Sequence, residues 1–383
     1  MTYKSTINRT TKFALILFGI WPNISCLMFC RIFWTITILI VLFCHYLYFL
    51  THYHSNDVFD LMDCFTSFLG FFKLLITFIF FWLNQRIFHE ILTMMAEDWN
   101  DCAKSDIEMH ETVNKAKISN FIANAIMTIH TIAVLMYGDL ILAKVDVTDR
   151  TIKLPHIYKI EVPFSINTQR MYKAVLIMEL MHVLICSWGM GILNALLLSL
   201  ILHIGGQINI LHSWLAKLIP KENKRKSIVI MMKKIIRKHQ KIIYFTKNIE
   251  SLYTFIAFIQ FISNTVMICL IGFVIITALG SPNAAEKIVK AISYYSVTNI
   301  EAFIFCYAGE YLSNKSKEIG LAAYNIAWYE FEPEYNRILL FIILRAQKQL
   351  TLTVGKMTDL SLRCFASIMN SAGSYLSVLL AMQ

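Results

Sequence analysis

The sequence predicts an all-α membrane protein. Seven transmembrane helices are expected, with the N-terminus cytosolic, the C-terminus extracellular and a cytosolic helical segment before the last span. Three observations carry this expectation. Hydrophobic residues make up 57% of the 383 and charged residues only 16%, where a soluble domain carries about 25% charge. The apolar residues gather into seven runs, each near the roughly 20 residues that a helix needs to cross lipid. Lys and Arg crowd alternate loops. Helices are expected rather than open sheets because a helix satisfies its own backbone groups in hydrocarbon.

The N-terminal segment, residues 1–31, holds Lys4, Arg9, Lys12 and Arg31 and no acid. Its stretch KFALILFGIWP has too short an apolar run for a secretory signal and no clean small-residue cleavage site after it. It reads as an interfacial helix on the cytosolic face, ended by Pro22. The expected spans are 32–51, 61–83, 119–142, 172–202, 252–279, 291–313 and 361–382. Between them, the loops 84–117 and 203–250 carry four and eleven Lys or Arg. The alternate loops 52–60, 143–173 and 280–290 carry none, six and two. The positive-inside bias puts the N-terminus in the cytosol, and seven spans then carry the C-terminus outside. This is the reverse of G-protein-coupled receptors. The formal charge of +10 is a signature of topology and implies no nucleic-acid partner, although the basic loops lie where anionic membrane lipid would meet them.

Loop 203–250 has helical composition, with Ile228, Met231, Met232, Ile235, Ile236 and Ile242 at three- and four-residue spacings. Spans four and five are therefore expected to run on into the cytosol. Residues 314–360 turn polar again. Their apolar patch, 338–344, is too short to cross a bilayer. Its stripe of Ile338, Leu339, Ile342 and Ile343 asks for a protein partner, with Arg345 and Lys348 placed well for the C-terminal turn. That partner is either another subunit or the chain's own surface. On the final span, Ser367, Ser371, Ser374, Val378 and Met382 share one helical face. The face suits a wet conduit with an apolar constriction at Val378 and Met382, or equally a small-residue stripe for close helix packing.

Away from the span ends, the charged residues within spans are Lys73, Glu179 and Glu301. Intramembrane charges usually pair. Lys73 and Glu301 fall at similar depth, so they are expected to meet, with Glu179 reaching the outer interface and His182 a bundle histidine. Six of the nine cysteines sit in spans as small hydrophobes, among them Cys44, Cys186, Cys269 and Cys306. No spacing suggests a metal site, and no cofactor is implied. The sequons at Asn8, Asn23 and Asn314 fall on the cytosolic side and are expected to stay unglycosylated. No zinc-protease, phosphate-loop or nucleophile-elbow motif occurs, so an enzyme is not expected.

Three stretches carry a resemblance. FGIWP (residues 18–22), GEYLSNKSKEIGLAAYNIAWYE (309–330) and LRAQKQLTLTVGKMTDLSLRCFASIMNSAGSYLSVLL (344–380) resemble motifs of the insect odorant receptor family. The chain resembles an odorant-tuned subunit and not the family's shared co-receptor, whose loop between spans four and five is longer. The resemblance implies an insect chemoreceptor ion-channel fold. It implies a ligand-gated, non-selective cation channel, a hetero-oligomer with the co-receptor (a tetramer), in the plasma membrane of olfactory sensory neurons. It divides the chain into a cytosolic segment (1–31), a ligand-binding bundle (32–313), a cytosolic anchor (314–360) and a pore helix (361–383). It implies an anchor contact through Ile338, Leu339, Ile342 and Arg345, and a pore and gate at Ser371, Ser374, Val378 and Met382. A pocket for small apolar or volatile ligands is implied in the outer halves of spans two, three, four and six. The residues there are Phe65, Phe68, Met136, Tyr137, Met178, Met181, Tyr294, Tyr295 and Thr298. The alternatives are a gustatory-type homomeric channel and a metabotropic or scaffolding membrane receptor.

Overall fold

The computed structural model describes residues 6–22, 26–53, 58–142, 156–163, 168–218, 225–279 and 284–381. Helix α1 (Arg9–Leu17) starts where Asn8 accepts the Thr11 N–H at 2.6 Å, an N-cap of the usual kind. It ends at Gly19, not at Pro22. Gly19 takes φ 63°, a left-handed turn that costs glycine nothing. The turn lets the Ile20 and Trp21 N–H groups reach back to the Leu15 carbonyl at 2.9 and 3.1 Å. Leu15, Phe18, Ile20 and Trp21 are buried. The Phe18 ring lies 5.0 Å from both Trp34 and Phe78, so this element plugs into the bundle as well as lying along it.

Seven longer helices follow the order of the expected spans: α2 (Leu27–His52), α3 (Val58–Leu83), α5 (Asp106–Leu142), α6 (Gln169–Ala216), α7 (Arg225–Ala278), α8 (Ala284–Tyr324) and α10 (Leu362–Ala381). Between them stand α4 (Gln85–Cys102) and α9 (Pro333–Gln347). Six helices among the described residues are long and apolar enough to cross a membrane. The exception is α8, whose expected span contains Ser293, Ser296, Thr298, Asn299 and Glu301.

At 1.5 Å per residue, α6 and α7 are roughly 70 and 80 Å long, more than twice the ~30 Å hydrocarbon core. Their continuation below the membrane was expected. That of α5, which begins at Asp106, and of α8, which runs on to Tyr324, was not. The four extensions pack with α4, whose Phe88, Ile91, Leu92 and Met95 are buried, into a helical cytosolic body. Ser119 Oγ donates to Ser199 Oγ at 2.6 Å, and Trp188 Nε1 donates to Thr131 Oγ1 at 2.9 Å. Both bonds pin α5 to α6.

A single 3-10 turn, Trp328–Glu330, joins α8 to α9. A two-stranded hairpin, β1 (Thr353–Val354) with β2 (Thr358–Asp359), then leads into α10. It docks on α7, where the Gly355 N–H reaches the Thr254 carbonyl at 3.0 Å and Thr353 Oγ1 donates to Glu250 at 3.1 Å. A Cβ on Gly309 of α8 would lie 2.2 Å from the Leu360 carbonyl oxygen. The chain therefore enters α10 in direct backbone contact with α8.

Candidate functional site

A cavity of about 180 Å³ lies between α3, α5, α6 and α8, with Met267 of α7 at its wall. Its walls are mostly apolar: Phe71, Leu74, Val134, Val183, Met190, Met267 and Val297. Each helix contributes one inward stripe at three- and four-residue spacing, such as Val183, Cys186, Ser187 and Met190 on α6. The connection ahead of α6 covers one side through Ile157 and Tyr158. Six contacts hold this cover. Glu179 Oε1 lies 2.6 Å from His156 Nδ1, and its Oε2 accepts the Ile157 N–H at 3.0 Å. The Tyr158 ring stacks on His45 at 5.4 Å and meets Phe71 edge-on at 5.6 Å. Lys159 donates to Asp60 at 2.8 Å, and the Glu161 N–H reaches the Cys44 carbonyl at 3.2 Å. Glu179 is therefore buried and tied to this cover, rather than reaching the interface. His182 packs between Phe71 and Trp34, at ring distances of 5.6 and 6.5 Å.

The polar wall groups are few. Lys73 Nζ donates to Glu301 Oε2 at 2.5 Å and to Asn264 Oδ1 at 3.1 Å, joining α3, α7 and α8 inside the bundle. His130 Nδ1 and Ser187 Oγ share a hydrogen bond of 2.8 Å. Lys290 pairs with Asp63 at 2.5 Å. Of the residues named for the pocket from the sequence, Tyr294 and Thr298 line the cavity. Phe65, Met136, Met178 and Met181 sit on the outward faces of their helices, Met178 the most exposed at 68%. Phe68 stacks between Phe65 and Phe72, and Tyr295 packs against the core. The Tyr137 side chain lies outside the described residues. The reason is physical: a membrane helix is apolar toward lipid as well as toward its neighbours, so aromatic and Met spacing marks both faces. Among the lining residues that spacing missed, His130 and Ser187 are polar groups in apolar helices, a signal that would have located them.

The C-terminal elements are placed differently. In α9, Leu339 and Ile342 are buried against their own chain, at 1% and 4% exposure, and Ile338 packs on the same core. The uncovered face carries Leu340, Phe341 and Leu344 instead, with Phe341 71% exposed. Arg345 donates to the Lys348 carbonyl at 3.0 Å, closing the helix end. In α10, Cys364, Ile368 and Ala372 are buried. Ser367, Ser374 and Val378 are exposed and Ser371 is half-buried. Met382 lies outside the described residues.

A second polar cluster lies in the cytosolic body. Asp98 receives Lys238 at 2.8 Å and Lys241 at 3.2 Å, and its other oxygen lies 3.2 Å from His203 Nε2. His203 Nδ1 in turn lies 3.0 Å from Thr6 Oγ1, tying the N-terminal segment to α4, α6 and α7. Lys238 also bonds Gln207. Burial pushes the Asp98 carboxyl up. The hydrogen bond from His203 and the charges of Lys238, His203 and Lys241 outweigh that burial and hold it well below the usual carboxylate range.

Fold and site together define a multi-pass helical membrane protein with a ligand-sized apolar cavity and an uncovered C-terminal helix. Residues 57–373 match the model of the 7tm odorant receptor family, and the chain belongs to that family, one of receptors rather than enzymes. Odorant receptor 10 of Aedes albopictus is 31% identical over 158 residues, 41% of this chain and 40% of that relative. Odorant receptor Or2 of Anopheles gambiae is 28% identical over 148 residues, 39% of this chain and 38% of that one. These matches thus span about two fifths of each relative's length. The solved structure of the insect olfactory receptor OR5 from Machilis hrabei in complex with eugenol superposes with a TM-score of 0.77. It covers 98% of both chains at 16% identity, a likeness of fold.

Proposed function

We propose that the chain is the odorant-tuned subunit of a ligand-gated, non-selective cation channel. It opens together with a co-receptor subunit in the plasma membrane of olfactory sensory neurons. Small apolar volatiles enter the cavity of α3, α5, α6 and α8, where burial of their surface at roughly 25 cal/mol per Å² drives binding. The single observation that carries the channel reading is α10. One side packs on its own chain through Cys364, Ile368 and Ala372, while the side bearing Ser367, Ser374 and Val378 is uncovered. One helix cannot enclose a conduit, so the hydroxyl face calls for symmetry-related copies. Residues 361–383 then form the pore helix and residues 314–360 the anchor that holds subunits together, through the Phe341 face of α9. Residues 32–313 form the ligand-binding bundle, and 1–31 the cytosolic lead-in.

The test records current from cells making the chain alone, the co-receptor alone and both, against a panel of volatiles. The expected result is a volatile-evoked cation current that requires both chains and whose ligand profile follows this one. Equal current from this chain alone would make it a homomeric channel. Ligand-evoked signalling with no current in any combination would overturn the channel reading.

A further inference from the structure

The ion pair in the cavity wall is only partly used. Among the described residues, the Glu301 carboxylate makes one side-chain hydrogen bond, to Lys73, and Lys73 makes two, to Glu301 and Asn264. An ammonium has three protons and a carboxylate two oxygens. One donor and one acceptor therefore remain on neighbouring residues that both line the cavity and are 3% and 4% exposed. Buried charges with unfilled hydrogen-bonding capacity are costly. The neighbouring polar groups are already engaged: His130 with Ser187, and Thr298 with the Tyr294 carbonyl at 3.0 Å.

We propose that the cavity selects compact hydroxylated ligands, alcohols or phenols, whose hydroxyl accepts from Lys73 Nζ and donates to the Glu301 carboxylate. The inference rests on the reading of this cavity as the odorant site and adds the chemical class. A hydroxyl meets both vacancies with one atom. An ether or ketone accepts only and leaves the carboxylate oxygen bare, and a hydrocarbon meets neither. A carboxylate is repelled by Glu301 and an ammonium by Lys73. Size follows from volume. A cavity of about 150 Å³ holds benzene, so this one of about 180 Å³ takes a hydroxylated molecule somewhat larger than benzene, of about seven or eight non-hydrogen atoms.

The test uses two matched triples on cells making the full chain with its co-receptor, reading the half-maximal concentration for current. One triple is benzyl alcohol, benzyl methyl ether and ethylbenzene. The other is 1-hexanol, methyl pentyl ether and heptane. In each, the alcohol should be more potent by on the order of tenfold to a hundredfold, the scale of a hydrogen bond to a charged group. Lys73→Met with Glu301→Met replaces the pair by apolar side chains of similar length. It should erase the alcohol's advantage while the hydrocarbon response persists, which also shows that the variant folds. Val183→Phe fills the cavity and should weaken all six ligands alike. If none of the six evokes current, or Val183→Phe leaves their responses unchanged, the cavity is not the odorant site and both readings fall. Equal potency within each triple, or a double variant that keeps the alcohol preference, overturns the hydroxyl inference alone and leaves the cavity standing.

Discussion

Helices α2 and α10 are the two least buried of the apolar helices, with 22% and 17% of their most apolar windows inside the chain. Their uncovered faces differ in kind. That of α2 is built from Phe29, Ile32, Phe33, Ile36, Leu39, Ile40 and Phe43, side chains that lipid tails solvate well, and its mean hydropathy is 2.3. That of α10 mixes Ser367, Asn370, Gly373, Ser374 and Ser377 with Leu362, Tyr375 and Val378, and its mean hydropathy is 1.4. Low burial thus has two meanings in one molecule. On α2 it marks contact with lipid. On α10 it leaves hydroxyl and amide side chains uncovered, groups that lipid solvates poorly.

The same contrast recurs within α9, and there the largest effect is expected. Phe341→Asp places a charge on the uncovered face. If that face is a subunit contact, the unpaired charge costs several kcal/mol, and recovery of complex with the co-receptor should fall by roughly a hundredfold or more. The amount of folded chain should not change. Ile342→Asp, one residue on, strikes the chain's own core and should lower the amount of folded protein itself. Co-purification against total protein separates the two. Equal recovery of complex with Phe341→Asp would remove α9 from the assembly.

Next in size is Lys73→Met, which strands Glu301 without its partner inside the bundle. Breaking a buried pair costs about 3–5 kcal/mol, so the thermal midpoint of the purified chain should drop by several degrees. Adding Glu301→Met should restore most of it.

The cytosolic cluster around Asp98, itself buried, serves as a control. The Asp98 carboxyl is held below its ordinary range, so its contribution to stability is complete above about pH 4. That contribution declines as the pH falls below this value. Asp98→Asn should destabilise the chain at pH 7 and flatten the acid limb of its stability profile below pH 4, without altering ligand preference. An unchanged acid limb would show that the network with His203 and Lys238 is not formed in solution. The smallest effect is expected from Val378→Ser on α10, a few-fold rise in basal current with normal assembly.

The span order, the polar break before the last helix and the meeting of Lys73 with Glu301 follow from hydropathy and depth alone. The faces do not. Met178 and Met181 of α6 have the spacing of a lining stripe, yet Val183, Ser187 and Met190 turn inward. Both sides of such a helix are apolar, so periodicity has little to distinguish. In α9 the stripe of Leu339 and Ile342 correctly marks a buried face. Whether its partner is the same chain or another is a tertiary fact, and the structure gives the first. Glu179 looked free to reach water because its partners, His156 and the Ile157 N–H, lie more than 20 residues away in sequence. Likewise, Gly19 ends α1 through a backbone conformation, while the eye is drawn to Pro22.

Cysteine accessibility measures the difference between α2 and α10 most directly. Ser374→Cys and Ile40→Cys, each in the full chain with the co-receptor, are exposed to a water-soluble, positively charged thiol reagent during ligand-evoked current. Ser374→Cys is expected to be modified and its current altered, faster when the channel is open, while Ile40→Cys in lipid does not react. If Ser374→Cys is as inert as Ile40→Cys, the uncovered face of α10 is a packing surface and the chain lines no pore.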